Sequence, residues 1–365
     1  MRILYRYLFK ELITPFFFGV AAFTAIFIGT DLLFELTELY TAWGIDVLTL
    51  IKLFFLSLPP IVVLTFPMAT LLATIMGYGR LSGDGEITAL RAGGISIYKL
   101  IIPALVVGLL MSGFTIFINE LVVPQSNYKY NQTVHRIKHG REIPKTQYNL
   151  YLTPLDSKTN RPDYVLYTYS FNGETGIMKD VLLQEYEGGN PSTLIKAEQA
   201  KWLENGWNFY DGVIYHLKEG ERVPSLKFKE YKSRENIHRP EKINRLKKSP
   251  EDMSLQELTE YISMQEEQGR NAYQEKVQLH HRFSIPFANF IFALIAAPLG
   301  IKPRRTGGSA TGMGLSIIVI FIYYGLMTIG DALGGQGTIT PWLGAWMQNI
   351  IFTIIGGFML YQVGK

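Results

Sequence analysis

Cysteine is absent from the 365 residues of the chain. That removes disulfide staples, a thiol nucleophile and thiolate metal ligation together. It assigns no compartment, since a chain without cysteine is tolerated on either side of a membrane. A GxxxxGK[ST] run is also missing, so the chain does not hold ATP in the usual phosphate cradle. So are HExxH and GxSxG, the motifs of zinc-peptidase and serine-hydrolase chemistry. Net charge is scarce as well: +4 over this length does not point to nucleic acid as a partner.

What the chain has is apolar sequence, 48% hydrophobic and 13% aromatic, and its distribution decides the class. It is concentrated in roughly the first 120 and last 85 positions, in runs long enough to cross a bilayer. Runs of that length lie at Leu12 to Phe34, Leu48 to Met76, Leu100 to Val122, Phe283 to Ile301, Ala310 to Ile329 and Pro341 to Tyr361. The reading is a polytopic α-helical membrane protein, three spans on each side of a water-soluble insert. The first run exceeds a signal-peptide core and has no small-x-small cleavage site behind it, so it reads as a retained span.

Lys and Arg in short loops resist translocation and set orientation. Arg2, Arg6 and Lys10, then Arg80, Arg91 and Lys99, then Lys302, Arg304 and Arg305, and finally Lys365 all fall on one side. The opposite loops carry Glu35, Glu38, Asp46 and Asp331. Both termini are expected in the cytoplasm, with the insert outside.

Between Pro124 and about Pro250 the period changes to short β-rich stretches such as "DYVLYTYSF" and "WNFYDGVIYHL". Asn172-Gly173, Asn205-Gly206 and Asp211-Gly212 supply turn chemistry, because Asn, Asp and Gly accept positive φ. The expectation is an antiparallel β jelly roll or sandwich. Trp202 and Trp207 flank the Asn205-Gly206 turn, either as core or as the lining of an apolar groove for a lipid chain. Ser254 and Glu257 form a capping box ahead of an apolar stripe at Leu255, Leu258, Ile262 and Met264, an amphipathic connecting helix. The expected division is 1–123 for three spans, with a short polar helix at about 80–94, 124–250 for the β domain, 251–282 for the connecting helix, and 283–365 for three more spans.

Candidate chemistry is sparse. His135 and His139 have the i, i+4 spacing of a two-ligand metal face but no third ligand, and read as solvated surface; no metal site is expected. His280 and His281 point to different helix faces and read as interfacial. "NQT" at Asn131 is too common a sequon to decide anything. Asp31, Glu35, Lys52 and Asp331 lie near the outer ends of spans, as interfacial anchors or as groups that steer a charged headgroup. Pro59, Pro60 and Pro67 favour a kinked or flexible second span.

The polar stretch "YGRLSGDGEITALRAGGIS" stands out between two apolar runs. Ser82 or Asp84 can cap a short helix whose first turn carries Glu86, and Arg91 suits its last turn. Gly93-Gly94 can stop it, and Ile87 and Leu90 make a narrow apolar face suited to a groove on another protein. The plainer reading is a connector lying on the membrane surface.

"RILYRYLFKEL", "FPMATLLATIMGYGRLSGDGEITALRAGGIS", "DMSLQELTEYI" and "HHRFSIPFANFIFALIAAPLGI" together resemble the LptF/LptG (YjgP/YjgQ) permeases of lipopolysaccharide export. The resemblance spans essentially the whole chain, and the second block is the most specific. It implies an inner-membrane ABC exporter subunit, not itself an enzyme, with a periplasmic jelly-roll domain. Implied partners are a cytoplasmic LptB-like ATPase dimer, which would use the ATP and Mg, and a second LptF/LptG-type permease, different or identical. LptC/LptA-like jelly-roll proteins would continue a bridge outward, and the substrate would be lipopolysaccharide. The polar helix, with Ser82, Asp84, Glu86, Ile87, Leu90, Arg91 and Gly93, becomes a coupling helix for the ATPase. The substrate path would involve Asp31, Glu35, Lys52, Pro59, Pro60, Phe66 and Pro67. Some relatives carry basic residues near the outer ends of their first spans; here only Lys52 does. A membrane receptor or assembly scaffold is the alternative, and an ion-coupled carrier is disfavoured because no charge sits at the membrane midplane.

Overall fold

The computed structural model describes residues 2–139, 146–154, 162–173, 175–187, 190–203, 206–218, 221–233, 237, 239–240, 248–301 and 309–364. Asn205, Lys302, Arg304, Arg305 and Lys365, used above, lie outside the described residues. The chain forms two compact units, one from Met1–Lys138 with Tyr273–Lys365 and one from His139–Ala272.

The first unit is helical. Among the described residues, six helices are long and apolar enough to cross a membrane: Arg2–Trp43, Val47–Gly83, Ile97–Lys138, Tyr273–Ile301, Gly312–Gly335 and Pro341–Gly364. The 3+3 arrangement expected from sequence is present. The first is a rod of α1 (Arg2–Phe27), a π-helical turn (Ile28–Leu32) and α2 (Leu33–Trp43). It stops where Gly44 takes φ +61°, the left-handed conformation that costs glycine least. Asp46 then caps α3 (Val47–Gly83), its carboxylate accepting from Thr49 N at 3.0 Å. At about 1.5 Å per residue the 37 residues of α3 exceed a hydrocarbon core of about 30 Å, so its ends project beyond it.

A short helix, α4 (Glu86–Ala92), connects α3 to α5 (Ile97–Leu121). Past α5 the chain continues as α6 (Val123–His139). The boundary expected at Pro124 therefore falls inside a helix. Tyr130, Val134 and Ile137 of α6 pack on Leu36 and Leu39 of α2 and Leu53 of α3, and this apolar face keeps a polar-looking segment helical.

The last three spans are α8 (Tyr273–Ile301), α9 (Ser309–Gly335) and α10 (Pro341–Gly364). α8 is the centre of the bundle: Ala288, Phe292, Ala293, Ala296 and Ala297 are fully buried. Its alanines let neighbours approach closely, the usual basis of helix association in lipid. Gly108 of α5 sits against it so tightly that a Cβ there would lie 2.8 Å from Asn289 O.

Among the described residues the second unit holds six antiparallel strands: β1 (Thr146–Leu152), β2 (Tyr164–Asn172), β3 (Ile177–Glu187), β4 (Asn190–Leu203), β5 (Gly206–Lys218) and β6 (Glu221–Lys232). They pair in chain order, a meander. Leu152, Leu166, Phe171, Met178, Leu183, Ile195, Ala200, Trp207 and Phe209 form one buried cluster drawn from β1 through β5. These residues share one buried cluster, so the antiparallel sheet packs about its own apolar face.

How it bends is visible in the pairing. The ladder skips one pair at the same level between every two neighbouring strands, along the row Asn149, Tyr169, Asp180, Glu198, Asp211 and Lys229. Asn149, Asp180 and Asp211, on alternate strands, take φ of +54°, +51° and +50°. All six side chains are exposed, so the row is the convex side of a crease. Inside it, buried Thr168 sends its hydroxyl to Lys179 O at 2.8 Å and Ser170 O at 3.0 Å, satisfying carbonyls beside the break. The Asp211-Gly212 pair expected to make a hairpin turn instead lies within β5, at this crease; the left-handed Asp bends a strand rather than reversing it. Asn172-Gly173 does link β2 to β3.

After Ser249 the capping box appears as expected: Ser254 and Glu257 bond each other's backbone at the start of α7 (Leu255–Glu267). This connecting helix is shorter than the 251–282 expected. Gly269 at φ +68° breaks it, and Tyr273 already starts the fourth span.

Candidate functional site

The corner between α3 and α4 is held by residues far away in sequence. Gly85, at φ +76°, is the N-cap of α4, with no side-chain cap. The expected Ser82 or Asp84 cap is therefore not made. α3 runs through Ser82, whose hydroxyl donates to Ile301 O at 2.8 Å, and Asp84 closes α3 as its C-cap. Gly93 ends α4 and Gly94 takes φ +81°.

Ile87, expected to point toward a partner, is 3% exposed and packs with Leu8, Leu12, Leu81 and Ile301 of its own chain; Leu90 packs at the edge of the same cluster. Burying a side chain of this size contributes about 1.5–3 kcal/mol, enough to fix which way a seven-residue helix faces. Thr88, Ala89, Arg91 and Ala92 are left on the open face.

The Tyr7 hydroxyl donates to Glu86, 2.8 Å from Oε2 and 3.0 Å from Oε1. One turn further along α1, Glu11 pairs with Arg80 in the last turn of α3. Behind the corner, Tyr78 donates from a buried site to Leu100 O at 2.5 Å.

At the other end of the bundle, Asp31 and Glu35 face a cavity of about 250 Å³ with Ser57, Pro60, Asn127 and Tyr130. The π-turn sets its wall: Thr30 donates to Ile26 O at 3.1 Å, and its hydroxyl reaches Asp31 at 3.1 Å. Such single-turn π segments widen a helix locally. Of the residues expected along a substrate path, Asp31, Glu35 and Pro60 meet here; Pro59, Lys52, Phe66 and Pro67 do not line the cavity. Lys52 is exposed, and Phe66 is buried in a ring stack with Phe16 and Phe114, at 5.9 and 5.8 Å between centroids. Among the described residues the lining thus carries two carboxylates and no cation, a field that repels phosphate and favours positive groups. Ser57 of α3 had no sequence signal, and Asn127 and Tyr130 had none because α6 read as part of the β domain.

Asp331 is paired. Its Oδ1 lies 2.5 Å from His281 Nε2, and His281 Nδ1 lies 3.0 Å from Ser284 Oγ. Ser284 is fully buried and has no route to a substrate, so the trio ties α9 to α8. Trp202 and Trp207 are direct cross-strand partners with rings 5.5 Å apart. Trp207, 2% exposed, belongs to the core and lines no open groove. Among the described residues no three His, Cys, Asp or Glu side chains group as a metal site.

Comparison with known proteins covers almost the whole chain. The family model described as lipopolysaccharide export system permease LptF/LptG matches residues 6–362. The chain is 21% identical over 319 residues to the lipopolysaccharide export system permease protein LptG of Haemophilus influenzae, covering 84% of this chain and 83% of that one. It is 21% identical over 325 residues to the protein of the same name from Escherichia coli K12, covering 88% and 87%. An uncharacterised Rickettsia prowazekii protein is 25% identical over 138 residues, 38% of each chain.

Proposed function

The chain belongs to the LptF/LptG family of lipopolysaccharide export permeases, and from that premise we propose that it is the membrane-spanning subunit of an ABC exporter driven at α4 by a separate ATPase. As a family member it is a multi-pass transport subunit rather than an enzyme. The observation that carries the finer reading is the corner itself. A seven-residue helix between the second and third spans is seated on its own bundle and presents Thr88, Ala89, Arg91 and Ala92 outward.

In this reading the short-loop Lys and Arg residues put α4 and both termini in the cytoplasm and the sheet unit in the periplasm. An LptB-like ATPase dimer would dock on α4, with Glu86 as the acidic contact. A second LptF/LptG-type permease, different or identical, would complete the lipid path. LptC/LptA-like jelly-roll proteins would receive the lipopolysaccharide or related glycolipid. ATP and Mg belong to the ATPase, and this chain binds no cofactor. The acidic cavity suits amine-bearing or cation-bridged headgroups better than bare phosphate. Among the described residues the receptor or scaffold alternative has no feature of its own in its favour, and α4 is too short to form a signalling domain.

Purification in mild detergent tests the reading. An ATPase should co-purify with the wild-type chain, and Glu86→Lys should weaken that association while membrane insertion persists. Absence of any ATPase, together with unchanged surface glycolipid on depletion of the chain, would overturn the proposal.

A further inference from the structure

The two polar links at the corner share one origin. Tyr7 and Glu11 are four residues apart on α1 and therefore lie on one face of it. Their partners straddle the corner: Arg80 is in the last turn of α3 and Glu86 in the first turn of α4. Beneath the links, Leu8 and Leu12 pack with Leu81 and Ile87. The fit is close, because a Cβ on Gly77 of α3 would come within 2.9 Å of the Leu12 side chain. The first span is thus fastened to both arms of the corner, by apolar contact and by two oriented polar bonds.

On its other side α4 reaches α5 through exposed Gly93 and Gly94, a joint with little side-chain bulk to stiffen it. Exposed ion pairs and hydrogen bonds contribute little to folding. Arg80 is half exposed, and the Tyr7–Glu86 bond is at the surface. Their value lies in where they hold α1, and both oxygens of Glu86 keep lone pairs free for a second donor.

We infer that Tyr7 is a positioning residue that fastens the first span to the α3–α4 corner, so that α1 and the corner move as one body when α4 is pushed. The inference rests on the proposed docking of an ATPase at α4. It goes further in naming the span that receives the displacement and the side chain that passes it on. Tyr7 orients the Glu86 carboxylate, and Glu11 with Arg80 keeps α1 in register with α3.

The test uses the full complex, purified with its ATPase and reconstituted in vesicles containing lipopolysaccharide, with ATP hydrolysis and lipid release read in the same sample. Tyr7→Phe keeps the ring and removes the hydroxyl. Lipid released per ATP should fall about tenfold, the size set by one hydrogen bond to a charged acceptor. That ratio does not depend on how much complex is folded, so simple destabilisation leaves it unmoved. Glu11→Arg and Arg80→Glu should each lower the ratio, and the two combined should restore it. The cysteine-free chain also permits a clean cross-link between Glu11→Cys and Arg80→Cys with a short bifunctional reagent. Cross-linked complex should release more lipid per ATP than the same variant left uncross-linked. An unchanged ratio in Tyr7→Phe, or a cross-link that stops release while hydrolysis continues, overturns the inference. If wild-type complex shows no ATP-dependent release at all, it is the docking proposal that fails.

Discussion

Thr70 of the second span donates a 2.9 Å hydrogen bond to Asn289 Oδ1 of the fourth, and the amide of Asn289 reaches Thr115 Oγ1 of the third at 3.2 Å. Asn289 is fully buried, so one side chain pins three helices at the bundle centre. Asn289→Leu keeps the branching of the side chain and removes the pin. It should cost about 1–2 kcal/mol, the range for interhelical hydrogen bonds in membranes, and lower the melting temperature in detergent. An unchanged melting temperature would show that the three helices hold without it.

The fifth and sixth spans cross on glycine. A Cβ on Gly344 would lie 2.6 Å from Gly330 O and 3.0 Å from Gly334 Cα, both backbone atoms that have no room to yield. Gly344→Val should therefore push α9 from α10 and reduce the amount of folded protein recovered by size-exclusion chromatography. Gly357, with open space around the same position, serves as the control and should tolerate alanine.

Asp46 offers a pH test outside the spans. Hydrogen bonds from the Thr49 hydroxyl and backbone hold its carboxyl below the usual aspartate value. A depressed folded value means the charged form stabilises the fold above the unfolded value of about 3.9. That advantage is lost as pH falls through the lower folded value. Asn caps helices without titrating. The melting difference between the native chain and Asp46→Asn should hold at neutral pH and shrink below pH of about 4. A pH-independent difference would mean that the charge plays no part in the cap.

The crease of the sheet predicts an asymmetry between neighbours in one strand. Asp180 has φ +51°, where a β-branched residue is strained. Asp180→Val should cost about 1–2 kcal/mol, whereas Lys179→Val, exposed and one residue away, should cost much less. Limited proteolysis of the intact protein across the sheet unit would report both.

Much of this architecture is legible in the sequence for physical reasons. A membrane span needs a long apolar run, so the six runs marked six helices, and Ser254 with Glu257 marked the start of α7 because a capping box is local. The corner was legible as a short helix but not in its orientation. Ile87 reads as outward apolar surface until Leu8 and Leu12, some 80 residues earlier, are seen to cover it. α6 carries few apolar residues, and its helical reading rests on its packing against α2 and α3. Asp211-Gly212 has the composition of a hairpin turn. Whether a left-handed Asp reverses a chain or bends a strand depends on the pairing of its neighbours, which composition does not encode. The acidic cavity stayed hidden because Asn127 and Tyr130 belong to that same α6.

The central claim, that an ATPase drives transport by pressing on the open face of α4, is tested most directly at Ala89. This residue is exposed and is absent from the internal contacts of the corner. Ala89→Trp should leave the chain folded in the membrane and sharply lower ATP-dependent lipopolysaccharide release by the reconstituted complex. Release at the wild-type rate, with the ATPase bound as before, would contradict the account.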